Sequence, residues 1–206
     1  MKRGMCITYE VDSGLYINMT NRCSNRCEFC IRNNGDGAYG SDSLWLEREP
    51  TVEEILDSVF SHDLSKYSEI VFCGYGEPTY RLSDAVLVAK TIKSKFESIS
   101  IRINTNGHSD MILGADSAKM YEGAFDAVSI SLNTPNPDRY VEICHPVYGK
   151  SAHSSLITFA ENVKKYVQKV SFSIVRQTLS EEEISECQRI ADDVGVSLKI
   201  RDYISE

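Results

Sequence analysis

The sequence predicts an α/β fold in which parallel strands are joined by helices lying outside them. Two observations predict it. Short apolar or alternating runs are followed, about six times, by stretches of helical spacing long enough to cross back over a sheet. The cysteines, glycines and amides least suited to a core fall just past the ends of those runs, where parallel sheets bind ligands. An open doubly wound sheet and a barrel or partial barrel both satisfy this pattern.

In order, residues 6–10 and 15–20 are β-like and separated by Val11-Asp12-Ser13-Gly14, a turn signal that makes an N-terminal β-hairpin. The second run leads into Cys23-Ser24-Asn25-Arg26-Cys27-Glu28-Phe29-Cys30. Residues 33–49 are rich in Gly, Asp, Ser and Asn without a period, and read as a loop beside the cysteines with Tyr39 and Trp45 as lid candidates. Thr51 with Glu54 three residues on opens a helix whose apolar stripe is Ile55, Val59 and Phe60.

A strand at 70–73 ends in Gly74-Tyr75-Gly76-Glu77-Pro78, and a helix follows over 82–96. The run 99–104 alternates strictly and ends in Thr105-Asn106-Gly107; a weaker helix over 111–121 is interrupted by Gly114. The strand 127–133 precedes Thr134-Pro135-Asn136-Pro137, which restricts the backbone and starts a short helix near Asp138. A helix over 151–167, a strand over 170–176, a helix over 180–194 opened by a Ser180–Glu183 capping box, and a strand over 196–203 complete the chain.

Composition narrows the function. With 206 residues the chain reads as one domain over 1–206, large enough to bury about 70% of its unfolded surface without disulfide support. The net charge of −8 and the absence of Lys/Arg runs longer than two argue against a nucleic-acid or membrane surface. No apolar stretch follows Met1-Lys2-Arg3 to make a signal peptide, so a cytoplasmic protein is expected. Seven cysteines, an odd number with three clustered, suit metal binding in a reducing compartment better than a disulfide scaffold.

Three sulfurs at i, i+4 and i+7 can meet at one point while leaving a fourth position open, whereas closed zinc and iron–sulfur sites usually take four. Two rivals stand beside a cofactor-binding enzyme. One is a non-enzymatic iron–sulfur or zinc-binding module completed by Cys6 or Cys73; the other is an aldolase-like barrel enzyme whose cysteines are incidental. Period two places Ser129, Ser131 and Asn133 on one face of their strand, toward a barrel interior, and Val128, Ile130 and Leu132 on the other. Arg176, at a strand end, is a carboxylate holder or an exposed arginine. Cys144, in a loop, is a possible catalytic thiol at the site mouth, and Cys73 reads as a buried barrel thiol. His108 is expected near the site, His62 and His153 on helix surfaces, and Arg22 and Arg26 are candidates to offset cluster charge.

The cysteine octet with Phe29 before its last cysteine resembles the signature of the radical SAM superfamily. That resemblance implies a (β/α)6 partial TIM-type barrel, a 4Fe-4S cluster on Cys23, Cys27 and Cys30, and S-adenosylmethionine chelated to the fourth iron by its amino and carboxylate groups. Phe29 would lie near the adenine. Gly74-Tyr75-Gly76-Glu77-Pro78 is similar to the Gly-Gly-Glu-Pro segment that receives the methionine ammonium, departing from it at Tyr75. Ser131, with Ser129 and Asn133, corresponds to contacts with ribose and carboxylate, and Thr105 and Asn106 match the Thr-Asn-Gly strand end of the glycyl radical activase branch. The implied chemistry is reductive cleavage to a 5′-deoxyadenosyl radical that abstracts hydrogen from an unidentified small-molecule or protein substrate, with flavodoxin or ferredoxin as reductant. Among small members, the chain most resembles the TatD-associated radical SAM proteins.

Overall fold

In the computed structural model residues 3–203 are described. The hairpin forms as expected: β1 (Thr8–Val11) pairs antiparallel with β2 (Gly14–Ile17). From β2 the sheet runs in chain order through β3 (Glu69–Phe72), β4 (Ser100–Thr105), β5 (Ala127–Ser131), β6 (Lys169–Val175) and β7 (Ser197–Arg201), every neighbouring pair parallel. A doubly wound sheet reverses its strand order at a switch point. Here the order never reverses, so successive right-handed crossovers put every helix on the same face and curl the sheet into a partial barrel.

The crossovers carry α1 (Val52–Phe60), α2 (Leu82–Lys95), α3 (Ser109–Leu113), α4 (Pro137–Cys144), α5 (Ser151–Val163) and α6 (Glu181–Val194). Both capping boxes form: Thr51 and Ser180 accept from the amides of Glu54 and Glu183, whose carboxylates reach back to the cap amides. Alternate strand residues, among them Leu15, Ile17, Ile70, Phe72, Ile101, Ile103, Val128, Ile130 and Phe172, pack outward with Ile55, Val88, Leu156 and Phe159 in one buried core. Each such side chain contributes about 1.5–3 kcal/mol through burial. The remaining strand positions, Glu69, Arg102, Asn104, Ser129, Ser131, Ser171, Ser173, Lys199 and Arg201, line the interior of the barrel.

Four expectations change. The helix over 111–121 splits, because Gly114 takes φ +70° and stops α3, after which Asp110 accepts from the amide and hydroxyl of Ser117 and turns the chain into a separate 3-10 turn. Cys144 is not in a loop but is the buried last residue of α4, a helix that begins at Pro137 because Asn136 caps it. His153 is buried, its Nε2 bonded to the Thr134 carbonyl at 2.9 Å. His62 is half-buried between Thr8 and Tyr67. The segment 33–49 is a loop as expected, with no helix or strand after residue 33, and it buries Ala38, Leu44 and Leu46.

Candidate active site

The cysteine loop follows β2 and is held from behind by α4. Arg26 N and Glu28 N donate to the Cys144 and Ile143 carbonyls at 2.9 and 3.0 Å, and Val147 N donates to Ser24 O at 2.9 Å. The first two use open carbonyls of the helix end, and in the third the turn after the helix donates its amide to the cysteine loop. A buried polar chain completes the mounting. Asn106 Nδ2 donates to Ser24 Oγ at 2.8 Å, Ser24 Oγ lies 3.0 Å from His108 Nδ1, His108 Nε2 lies 3.3 Å from Tyr140 OH, and Asn25 Nδ2 donates to that hydroxyl at 2.9 Å. Burial lowers the His108 pKa to about 4, so the imidazole is neutral and serves as a link, not a charge.

Cys23, Cys27 and Cys30 are half-buried and line one pocket of about 250 Å³ at the carboxyl ends of the strands. Phe29, Gly74, Tyr75, Gly76, Glu77, Thr105, Asn106, Ser131 and Asn133 line it too. Burial, then the Glu77 charge, raises the Cys23 thiol to about 12. A hydrogen bond with Cys144, then burial, pushes Cys27 up, and burial raises Cys30. Arg32 opposes all three shifts; its guanidinium is fixed by Asn25 O at 2.9 Å and Tyr75 O at 3.5 Å. The thiols therefore bind metal only by releasing protons. Among the described residues no three Cys, His, Asp or Glu side chains close on a single ion, so a zinc-type cage is not preformed.

Gly74 and Gly76 are required by chain packing. A Cβ at Gly74 would overlap Asn18 Oδ1, and one at Gly76 would overlap the Thr20 carbonyl. Tyr75, where the resemblance has glycine, holds the 33–49 loop: its hydroxyl donates to Gly37 O at 2.8 Å and its ring meets Trp45 edge-on at 5.2 Å. Pro78 is buried in the 3-10 turn behind the pocket. Glu77 is 3% exposed and fully engaged. Its Oε1 accepts from Thr79 N, Thr79 Oγ1 and Thr105 Oγ1 at 3.1, 2.7 and 2.8 Å, and its Oε2 from Asn106 N at 2.7 Å. The carboxylate thus clamps the β3 and β4 strand ends together, and the segment offers the pocket its peptide groups.

Not every candidate arrives. Ser129 lies deeper in the barrel, accepting from Arg201 Nη2 at 2.9 Å. Arg176 is exposed and pairs with Glu181 at 3.5 Å, outside the pocket. Cys144 sits beneath the cysteine loop, with Asn133 Nδ2 3.3 Å from its sulfur, and not at the mouth. Arg22 is taken by Glu49 at 2.7 Å, and Arg26 is exposed. Cys73 is half-buried and lines the pocket. Two residues went unread in the sequence: Arg32, two positions past the last cysteine, and Arg201, which period two on the final strand would have turned inward.

A six-stranded parallel partial barrel with a pocket at its strand ends that three clustered cysteines line defines an α/β barrel protein with a thiol-bearing site where such folds bind ligands. A profile of the Radical SAM superfamily matches residues 17–191, and the chain belongs to that superfamily. Membership carries a 4Fe-4S cluster and S-adenosylmethionine as cofactors. The chain is 26% identical over 159 residues to the GTP 3′,8-cyclase of Lactiplantibacillus plantarum, covering 77% of this chain and 44% of that protein. It is 24% identical to the tungsten-containing aldehyde ferredoxin oxidoreductase cofactor-modifying protein of Pyrococcus furiosus, covering 88% of this chain and 49% of that protein. In fold it is similar to Streptococcus suis SuiB bound to precursor peptide SuiA, with a TM-score of 0.67 at 18% identity over 93% of this chain and 39% of that one. The chain spans about half the length of the curated relatives it matches. No helix among the described residues is long and apolar enough to cross a membrane.

Proposed function

We propose that this chain is a radical SAM enzyme in which Cys23, Cys27 and Cys30 hold the 4Fe-4S cluster and S-adenosylmethionine occupies the rest of the pocket. The observation that supports it is the meeting, in one pocket, of three thiols with the ends of β3, β4 and β5. When bound, the reduced cluster and the sulfonium supply a 5′-deoxyadenosyl radical and methionine for hydrogen abstraction. The chain's own part is placement. The cysteines give up their protons while Arg32 offsets the negative charge they acquire. The peptide groups of Gly74–Gly76 face the methionine end, Ser131 and Asn133 the ribose and carboxylate, and Phe29 the adenine. Thr105 and Asn106 are locked by Glu77, so that side of the pocket is rigid before anything binds.

Superfamily members need an electron donor, and flavodoxin or ferredoxin in the cytoplasm is the donor proposed. The GTP-cyclising activity named for a relative is not carried over, because less than half of that protein is matched. The finer likeness to TatD-associated proteins, or to activases through Thr105-Asn106-Gly107, leaves the substrate open.

Anaerobic reconstitution with iron and sulfide, then dithionite and S-adenosylmethionine, tests the reading. Wild type and Cys73→Ala are expected to yield 5′-deoxyadenosine, and Cys27→Ala none. Loss of the cluster in Cys73→Ala would favour a four-thiolate module, and no 5′-deoxyadenosine from a loaded wild type would end the enzyme reading.

A further inference from the structure

Away from the cysteine pocket, toward the amino ends of the strands, the barrel interior opens to solvent through a concavity of about 1170 Å³. Its charge is opposite to that of the protein. Against a net −8 for the chain, the inward positions of β4 and β7 bring Arg102, Lys199 and Arg201 to this concavity. The inward carboxylate of β3, Glu69, is consumed by Arg102: Nε to Oε2 is 3.0 Å and Nη2 to Oε1 is 2.6 Å, with Arg102 Nη1 on Asn104 Oδ1 at 2.6 Å. Asp12 lies on the lining from the hairpin turn, and Lys164 and Lys169 add positive charge from the crossover and β6.

Beyond Arg102, the cations Lys169, Lys199 and Arg201 keep unspent donors, and the last two lie side by side on β7. Among the described residues the exposed Lys199 side chain makes no hydrogen bond and no ion pair, and its partial desolvation with the nearby Arg102 and Arg201 charges pulls its pKa down. Arg201 makes one bond, to Ser129 Oγ. Lysines on edge strands commonly guard against pairing with another chain, and β7 ends the sheet. These two side chains, however, sit on the inward face at i and i+2, where they meet each other's charge and not a neighbouring strand. Converging like charges with free donors in a concave, hydroxyl-lined space are the chemistry of an anion site. Arg201 lines the cysteine pocket as well, so a molecule gripped here extends toward the cysteines.

We propose that Lys199 and Arg201 anchor the anionic group, phosphate or carboxylate, of a small-molecule substrate inside the barrel, with the Ser129 and Ser171 hydroxyls beside it. That this ligand is the substrate rests on the radical SAM reading above; the anion site itself does not.

Isothermal titration of the full-length protein with inorganic pyrophosphate and, separately, with succinate tests it and distinguishes the two kinds of anion by which binds more tightly. Saturation below about 1 mM by at least one is expected. Its Kd should rise at least tenfold in Lys199→Gln and in Arg201→Gln, recover in Lys199→Arg, and stay unchanged in Lys90→Gln on the outer helix. Absence of binding by both probes, or binding that the Lys199 and Arg201 variants leave intact, would overturn the proposal. Melting temperatures identify any variant that fails to fold, and Lys199→Arg then decides by whether it binds as wild type does. Cluster absorbance on the same preparation reads the radical SAM assignment independently, since anion binding with no cluster would sink that assignment and spare the site.

Discussion

His108 has the most legible pH signature of any single residue. Its folded pKa of about 4 lies below the ordinary 6.5, so its contribution to stability is complete above pH 6.5 and is lost as pH falls toward 4. The difference corresponds to about 3 kcal/mol. Urea unfolding across that range should show a steeper loss for wild type than for His108→Gln. Glu77 makes a different demand. Its four donors cannot be matched by an amide, whose NH2 group would face Thr79, Thr105 or Asn106, so Glu77→Gln should cost about 1–3 kcal/mol in denaturant titration. It should also weaken S-adenosylmethionine binding to the loaded protein. Unchanged stability would show that the clamp is dispensable.

Among the elements, the strand-end segments matter most, because each packs against another. Gly76 lies against the Thr20 backbone, which has no rotamer to yield, and Gly76→Ala should lower stability by about 3 kcal/mol, read as a drop in melting temperature. The caps work on a smaller scale. Ser180→Ala removes the bond to the Glu183 amide and should cost about 1 kcal/mol, with hydrogen exchange rising in the first turn of α6 and not in α5. Helix starts of this kind are written in adjacent residues, which is why both capping boxes were legible. Helix ends were less so: a glycine at 114 marks a stop only when it takes the left-handed conformation, and the Asp110–Ser117 bonds that turn the chain there span seven residues.

For the whole molecule, the proposed ligation by Cys23, Cys27 and Cys30 would tie cofactor loading to pH through their raised thiols. Cluster incorporation, read as absorbance near 400 nm per chain, should improve as pH rises from about 7 to about 9, and Arg32→Met should move that profile to higher pH. A profile flat in pH would mean that the loop reorganises before binding. The architecture enforces the coupling, since α4 presses on the loop from outside while the strand ends face it from within.

The linear chain by itself determined the alternation of strand and helix, the helix caps, the inward serines of β5 and the sulfur triplet, because period, capping and motif spacing act between residues a few positions apart. Only the tertiary structure decided that the sheet curls and does not reverse, that Arg176 points away while Arg32 and Arg201 point in, that Cys144 supports the cysteine loop from below, and that Glu77 is spent on the chain's own donors. Each of those outcomes depends on which distant surfaces bury one another. A carboxylate or guanidinium takes whichever partner the fold delivers, and that partner lies 29 residues away for Glu77 with Asn106, and 72 for Arg201 with Ser129.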